Sequence, residues 1–357
     1  MNNQTIFDFV LNEESAYKTR GVTVADGYEW HMPEHLKQCI LYKDGIPTTG
    51  KDDFKPVKNI ILPILNVSYR TEGFDVKDIE PYVDSADDYH KSLIIRKFHD
   101  RWARENSLDT FIDEVVESYI DFGGVLVKNV KGARPEVIPL QTISFADQTD
   151  ILSGPFAIKH QYSIDQLKEK IGVWNDEDVN TVVEQARMEK PNLQSEGQKN
   201  KTPGKYIEVY EIHGMMPKSW LTGRTPDYED MDEDSYTRQV QIVSFCTGKD
   251  NLKRGVTLFK GKEKDGLFKV LRRDKRFGTA LGRSAIEELF ESQVWTNYGQ
   301  IQTKLLLDKA ALLLGVTDDA SFSQKNKITD LDQGEWLVKT QGSSVEPFIF
   351  PMQNIQQ

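Results

Sequence analysis

The chain has 357 residues, 45 lysines and arginines against 56 aspartates and glutamates, a formal net charge of −11 and 38% hydrophobic residues. That length points to two domains or one large domain with additions, and the low apolar fraction predicts long exposed elements or surfaces that wait for partners. The acidic balance excludes a tight wrapper of duplex DNA, which needs basic groups against phosphate, but not a conduit that lets DNA slide past.

Residues 1–58 are rich in turn formers such as Thr48-Thr49-Gly50 and Lys55-Pro56, and read as an irregular arm or strap over a later domain. An apolar run around Pro63, residues 59–71, predicts a short helix or strand beneath it. The first strong helical pattern covers 86–105, where Tyr89, Leu93, Ile94, Phe98 and Trp102 make one apolar stripe. A second helix is predicted from about 107 to 121, with Ser107 as N-cap and Phe111, Ile112, Val115, Val116 and Tyr119 on the buried face. Gly123-Gly124 ends it. Strands follow at 125–130, 136–146 and 155–162.

Ser163-x-x-Gln166 is a capping box opening a helix to about Ile171, and Asn175 caps another to about Met188. Residues 189–205 have too little apolar content to bury and read as a loop. Strands resume at 205–214 and 238–247, flanking an acidic loop, 226–235, that holds Asp227, Glu229, Asp230, Asp232, Glu233 and Asp234. Residues 249–276 reverse the charge, with eleven lysines and arginines against Asp250, Glu263, Asp265 and Asp274. Asp265-Gly266 is a turn signal, and a solvated β-hairpin competes with a phosphate-contacting surface for this stretch. A helix of about 45 Å is then predicted over 283–313, with Ser284 as cap, Glu287 and Glu288 at its positive end, and Gly315 as its stop. Ile286, Phe290, Val294, Ile301 and Leu305 follow one face. Residues 314–351 read as a small strand-and-turn module.

Cys39 and Cys246 lie far apart and match no metal spacing, so two free thiols in a reducing compartment are expected. The opening MNNQTIFDFV lacks the features of a signal peptide, and no stretch approaches the roughly 20 apolar residues of a membrane span. A soluble intracellular protein is expected. Gly278 to Ser284 resembles a phosphate loop but is one residue short and carries Arg283 where lysine belongs, so it reads as a turn into a capped helix. The acidic loop does not match the EF-hand spacing, and the aspartates at 84, 87 and 88 suit a helix N-terminus. No nucleophilic triad or metal signature stands out, so no catalytic residue, cofactor or metal is expected.

Two segments carry a family resemblance. SLDTFIDEVVESYIDFGGVLVKNV leading into VIPLQTISFADQTDILSGPFAIKHQYS (107–162), and residues 278–313, where Gly-Arg-Ser begins the long helix of GRSAIEELFESQVWTNYGQIQTKLLLDKAALLLG, resemble the portal protein of tailed bacteriophages. The likeness spans about 100–357 and is a pattern of elements. It implies an α+β fold: an N-terminal arm (1–58), a wing domain of helices and antiparallel or mixed strands (59–282), a stem helix (283–313) and a small α/β clip (314–351). A second stem helix, the rest of the wing and a crown are expected beyond 357. The resemblance implies a ring of this chain with itself, about twelve copies, at one capsid vertex. Double-stranded DNA would pass through the ring, driven by a packaging ATPase (terminase). A head–tail adaptor and the major capsid protein would be further partners, and no membrane.

In that picture Leu289, Trp295, Ile301 and Leu306 pack between stems. Lys304 and Lys309 face passing DNA, or simply complement the helix dipole. Trp336, Phe348 and Phe350 of the clip dock the motor and adaptor. The competing readings are another head–tail structural protein, or a nucleic-acid enzyme with the acidic loop as its metal site.

Overall fold

A computed structural model describes residues 3–46, 58–81, 89–188, 206–222, 236–247, 253–311, 314–325 and 338–348. The expected loops at 189–205 and 226–235 lie outside the described residues.

The N-terminal segment is not the irregular arm its turn formers predict. It forms helix α1 (Asn3–Thr19), a ribbon of β1 (Val22–Ala25) and β2 (Tyr28–Trp30), and helix α2 (Met32–Lys43). Burial overrides the turn composition here: Ile6, Val10 and Tyr17 enter the main core, as do Trp30, Met32, Leu36 and Cys39. Pro33 sits in the first turn of α2, where its missing N–H goes unused. The ambiguous run at 59–71 is a helix, α3 (Ile61–Glu72), with Pro63 likewise in the first turn and Ile61 and Leu65 buried.

Helix α4 (Tyr89–Glu105) forms where predicted, but its apolar stripe stays in water. Tyr89, Leu93, Ile94 and Phe98 are each at least 60% exposed. Only Ala103 is buried, with Trp102 half-buried against the core. Helix α5 (Leu108–Phe122) buries Leu108, Ile112, Val116 and Ile120, a stripe of perfect fourfold spacing. Ser107 does not cap it as predicted. The residue is left-handed, at φ 51°, and its hydroxyl misses the first turn; its carbonyl instead accepts from Arg134 Nη1 at 3.2 Å. The other end behaves as expected, with Gly123 at φ 74° closing the helix.

The strands and helices that follow are β3 (Gly124–Lys128), β4 (Glu136–Ile138), β5 (Ile143–Phe145), β6 (Phe156–Tyr162), α6 (Ile164–Glu169), α7 (Asp176–Met188), β7 (Ile207–Pro217), α8 (Lys218–Thr222), β8 (Tyr236–Thr247), β9 (Lys253–Lys262) and β10 (Phe268–Arg272). The predicted strand 136–146 is two strands in different sheets, because Pro139 and the 3-10 turn Leu140–Thr142 interrupt it. The Ser163 capping box is present in both directions, and Asn175 Oδ1 accepts from the Glu177 amide at 3.3 Å.

The basic stretch 249–276 is not a hairpin. Gly266 makes the expected turn at φ 70°, yet β9 pairs with β8 and β10 pairs with β3. Each strand has its own apolar destination. Leu258 of β9 joins a small core with α7, and Phe268 of β10 joins the main core. The result is an antiparallel five-stranded sheet, β5-β6-β7-β8-β9, and a three-stranded one, β10-β3-β4. Strand β7 serves two cores by alternation: Val209 faces the small one, Tyr210 and Ile212 the main one.

Helix α9 (Ala285–Ala311) is capped as predicted, Ser284 Oγ accepting from the Glu287 amide at 2.9 Å. Gly315 does not stop it; that residue lies inside β11 (Leu314–Thr317), opposite Pro347 of β12 (Val345–Phe348). Between these strands is the short α10 (Phe322–Lys325). The fold is α+β. It divides into two compact units, 1–46 with 60–290, and 47–59 with 291–357.

Candidate subunit-interface surfaces

The lead into α9 is built from backbone. The carbonyl of Gly123 accepts from the amides of Arg273 and Gly282, and the Arg283 amide donates back to the Arg273 carbonyl at 3.1 Å. Ala285 and Ile286 then drop into the main core. Arg276 Nη2 holds Glu287 Oε1 at 2.8 Å beside this start.

Beyond its first turn α9 presents apolar side chains to water. Of the predicted stripe, Phe290, Val294 and Leu305 are exposed and Ile301 is half-buried; Tyr298 beside it is exposed too. Within the second unit, buried Gln293 donates to the Lys58 carbonyl at 2.7 Å and to Asn297 Oδ1 at 2.9 Å, and Asn297 Oδ1 accepts the Lys58 amide at 3.2 Å. Residue 58 thus meets α9 through both its backbone amide and its carbonyl.

The predicted packing residues divide. Leu289 is half-buried against the first unit's own core. Trp295 is 64% exposed and stands edge-on to Tyr298 at 6.0 Å; Leu306 is exposed and Ile301 half-buried. Lys304 is half-buried in the same helix, and Lys309 lies in its last turn. Phe348 closes β12, whereas Trp336 and Phe350 lie outside the described residues. The structure therefore groups Trp295, Ile301, Lys304 and Leu306 on one helix and leaves the clip residues separate from them in sequence.

Two features were not read from the sequence. The first is a cleft of about 300 Å³ in the first unit, between β2, α2 and the start of α9, lined by Tyr28, Trp30, Glu34, Tyr42, Glu287 and Phe290 among others. Cys39 and His35 also line it, with Cys39 Sγ 3.5 Å from Ser284 Oγ and 3.8 Å from His35 Nε2. This trio is not an activated nucleophile. Burial pushes the Cys39 thiol up to about 12 and pulls His35 below its ordinary value, so both are neutral. The second is a buried ionic network. Glu211 takes Lys128 Nζ at 2.6 Å, His160 Nε2 at 2.9 Å and His213 Nε2 at 2.9 Å, and Glu263 lies 3.7 Å from His213 Nδ1. The members come from β3, β6, β7 and the turn after β9, so no local spacing announces them.

Among the described residues, no cluster of histidine, cysteine, aspartate or glutamate is arranged to hold a metal ion, and no helix is long and apolar enough to cross a membrane. The acidic loop weighed as a metal site lies outside the described residues. No family model matches the chain, and no curated protein matches it either.

Proposed function

We propose that this chain is the subunit of a homo-oligomeric ring of the phage-portal type, a structural conduit for double-stranded DNA at one capsid vertex. The observation that carries the reading is the apolar surface of α9: a 27-residue helix with Phe290, Val294, Trp295, Tyr298, Leu305 and Leu306 each exposed by more than a third. A helix that shows apolar side chains to water over five turns is stabilised when neighbouring copies cover them, at about 25 cal/mol per Å² removed from water. The net charge of −11 suits a channel wall that must not retain phosphate. In this reading residues 314–351 meet the packaging ATPase and the head–tail adaptor, and the first unit meets the major capsid protein and its neighbours in the ring.

Negative-stain imaging with light scattering on the purified chain tests the reading. The expected result is a closed ring with an axial hole and a mass that is a whole-number multiple of the subunit. A monomer at micromolar concentration, with no ring in the images, would defeat it. The channel role of Lys304 and Lys309 is tested separately: particles carrying Lys304→Glu and Lys309→Glu should package or eject DNA more slowly, and unchanged rates would remove that role.

A further inference from the structure

Two surfaces of the first unit carry opposite chemistry. Helix α4 presents Ile94, Ile95 and Phe98 to water, and Lys97, Arg101 and Arg104 run along one flank of that ridge. The helix holds five basic residues, Lys91, Arg96, Lys97, Arg101 and Arg104, against Asp100 and Glu105, a local excess of three positive charges on an acidic chain. The cleft beside α2 is the complement. Its wall is aromatic: Tyr42 and Phe290 meet edge-on at 4.6 Å, with Trp30 and Tyr28 alongside. Its charged lining is acidic, Glu29, Glu34 and Glu287, with no lysine or arginine. Glu287 gives one oxygen to Arg276, but Oε2 is buried with no hydrogen-bond partner, as is His31 Nδ1. The exposed carboxylates of Glu29 and Glu34 beside this aromatic wall suit an occupant that brings apolar bulk and positive charge together.

We propose that the occupant is helix α4 of a second copy of this chain. Its exposed Ile94 and Phe98 show that α4 does not fill its own chain's cleft. A twofold contact of α4 with α4 would set the Lys97, Arg101 and Arg104 flanks against each other, which like charge disfavours. Ridge into cleft instead covers Phe98 with aromatic side chains and places Lys97 and Arg101 by Glu29 and Glu34. Because the two patches differ, the contact is head-to-tail, and such contacts close into rings when the rotation allows. The inference rests on the ring reading and names a contact that would build the ring.

The experiment uses two variants, Phe98→Asp in the ridge and Glu29→Lys/Glu34→Lys in the cleft, followed by light scattering and native mass spectrometry. Each alone should remain folded by circular dichroism and lose the oligomer, association weakening at least about thirtyfold, the loss of one interface hot spot. Mixed in equal amounts, they should form a dimer, since the Phe98→Asp copy keeps a cleft and its partner keeps a ridge. A mixture that stays monomeric, or variants that assemble like the wild type, would overturn the docking while leaving the ring reading standing. A monomeric wild type would overturn both. Should Phe98→Asp unfold, Lys97→Glu/Arg101→Glu takes its place; combined in one chain with Glu29→Lys/Glu34→Lys it should restore the oligomer, and failure to do so counts against the contact.

Discussion

The amide of Gly282 donates to the carbonyl of Gly123 at 3.0 Å, so the turn that ends α5 and the turn that begins α9 meet backbone to backbone. Neither position has room for a side chain. A Cβ on Gly282 would lie 1.5 Å from the Arg273 carbonyl oxygen, and one on Gly123 would lie 2.5 Å from the Gly282 carbonyl oxygen.

Gly282→Ala should destabilise the first unit by about 3 kcal/mol, the upper range for forcing atoms into a packed site. Gly299→Ala is the contrasting case, because an added Cβ there meets nothing within 4 Å. In a helix interior that change should stabilise by up to about 1 kcal/mol. Urea midpoints measure both. Equal midpoints for Gly282→Ala and wild type would show that the close approach does not exist.

What the sequence made legible was local. The Ser163 capping box, the Asn175 and Ser284 caps and the Gly123 stop each need only residues a few positions apart, and each is present. What it hid was pairing and exposure. Nothing in residues 253–272 says that β9 and β10, separated by one turn, take partners in different sheets. The α4 stripe was visible as a pattern, but an amphipathic pattern marks a face that prefers burial without saying whether the same chain buries it. Helix α1 was missed because its few apolar residues sit among polar ones; Ile6, Val10 and Tyr17 were the available signal. The ionic network around Glu211 had no signal, since its members are brought together only by the sheets.

That network sets a pH dependence. Burial pulls the His213 value down, but Glu211 and Glu263 outweigh it and raise it above the ordinary 6.5. Burial pushes Glu211 up, but His160, His213 and Lys128 outweigh it and hold the carboxyl well below the ordinary 4.5. The histidine's contribution is full below 6.5 and is lost as pH rises through its raised value. The glutamate's contribution is full above 4.5 and is lost only in strong acid. Both are complete between about pH 4.5 and 6.5, so the melting temperature should peak there and fall as the pH rises through the raised histidine value. His213→Gln should flatten the decline, and a His213→Gln curve parallel to wild type would locate the titration elsewhere. Glu211→Gln, which strips the anion from several cations, should cost about 3 kcal/mol at neutral pH.

Lys43 and Asp121 form the second buried pair, at 2.5 Å, with Glu117 also on Lys43 Nζ and the Tyr69 hydroxyl donating to Asp121. Burial raises Asp121 above its ordinary value even though Lys43 and Tyr69 pull it down. The pair is thus held by mutual need more than by net gain. Lys43→Met should cost about 3–5 kcal/mol, because it leaves a buried carboxylate without its cation. Part of that loss should return as pH falls and Asp121 takes a proton. Lys43→Met/Asp121→Asn should recover most of it even at neutral pH. A double variant as unstable as the single one would mean that Lys43 acts through packing on Tyr69, whose ring centroid it approaches at 5.6 Å.

The exposed face of α9 separates folding from assembly. Val294 and Leu305 lie three turns apart on the stripe, each exposed by more than 40%, so neither supports the subunit's own core. Val294→Asp and Leu305→Asp should leave the unfolding free energy of dilute subunit within about 0.5 kcal/mol of wild type, the usual range for surface changes. In a ring the same aspartates would be buried without partners, and a charge so placed costs several kcal/mol per contact. Multiplied around a closed assembly, that cost should remove the ring entirely at concentrations where the wild type is fully assembled. Sedimentation velocity reads the assembly and calorimetry the subunit. Rings that persist with both aspartates in place would show that this face of α9 looks into water in the assembly too, and would leave its apolar side chains without the role proposed for them.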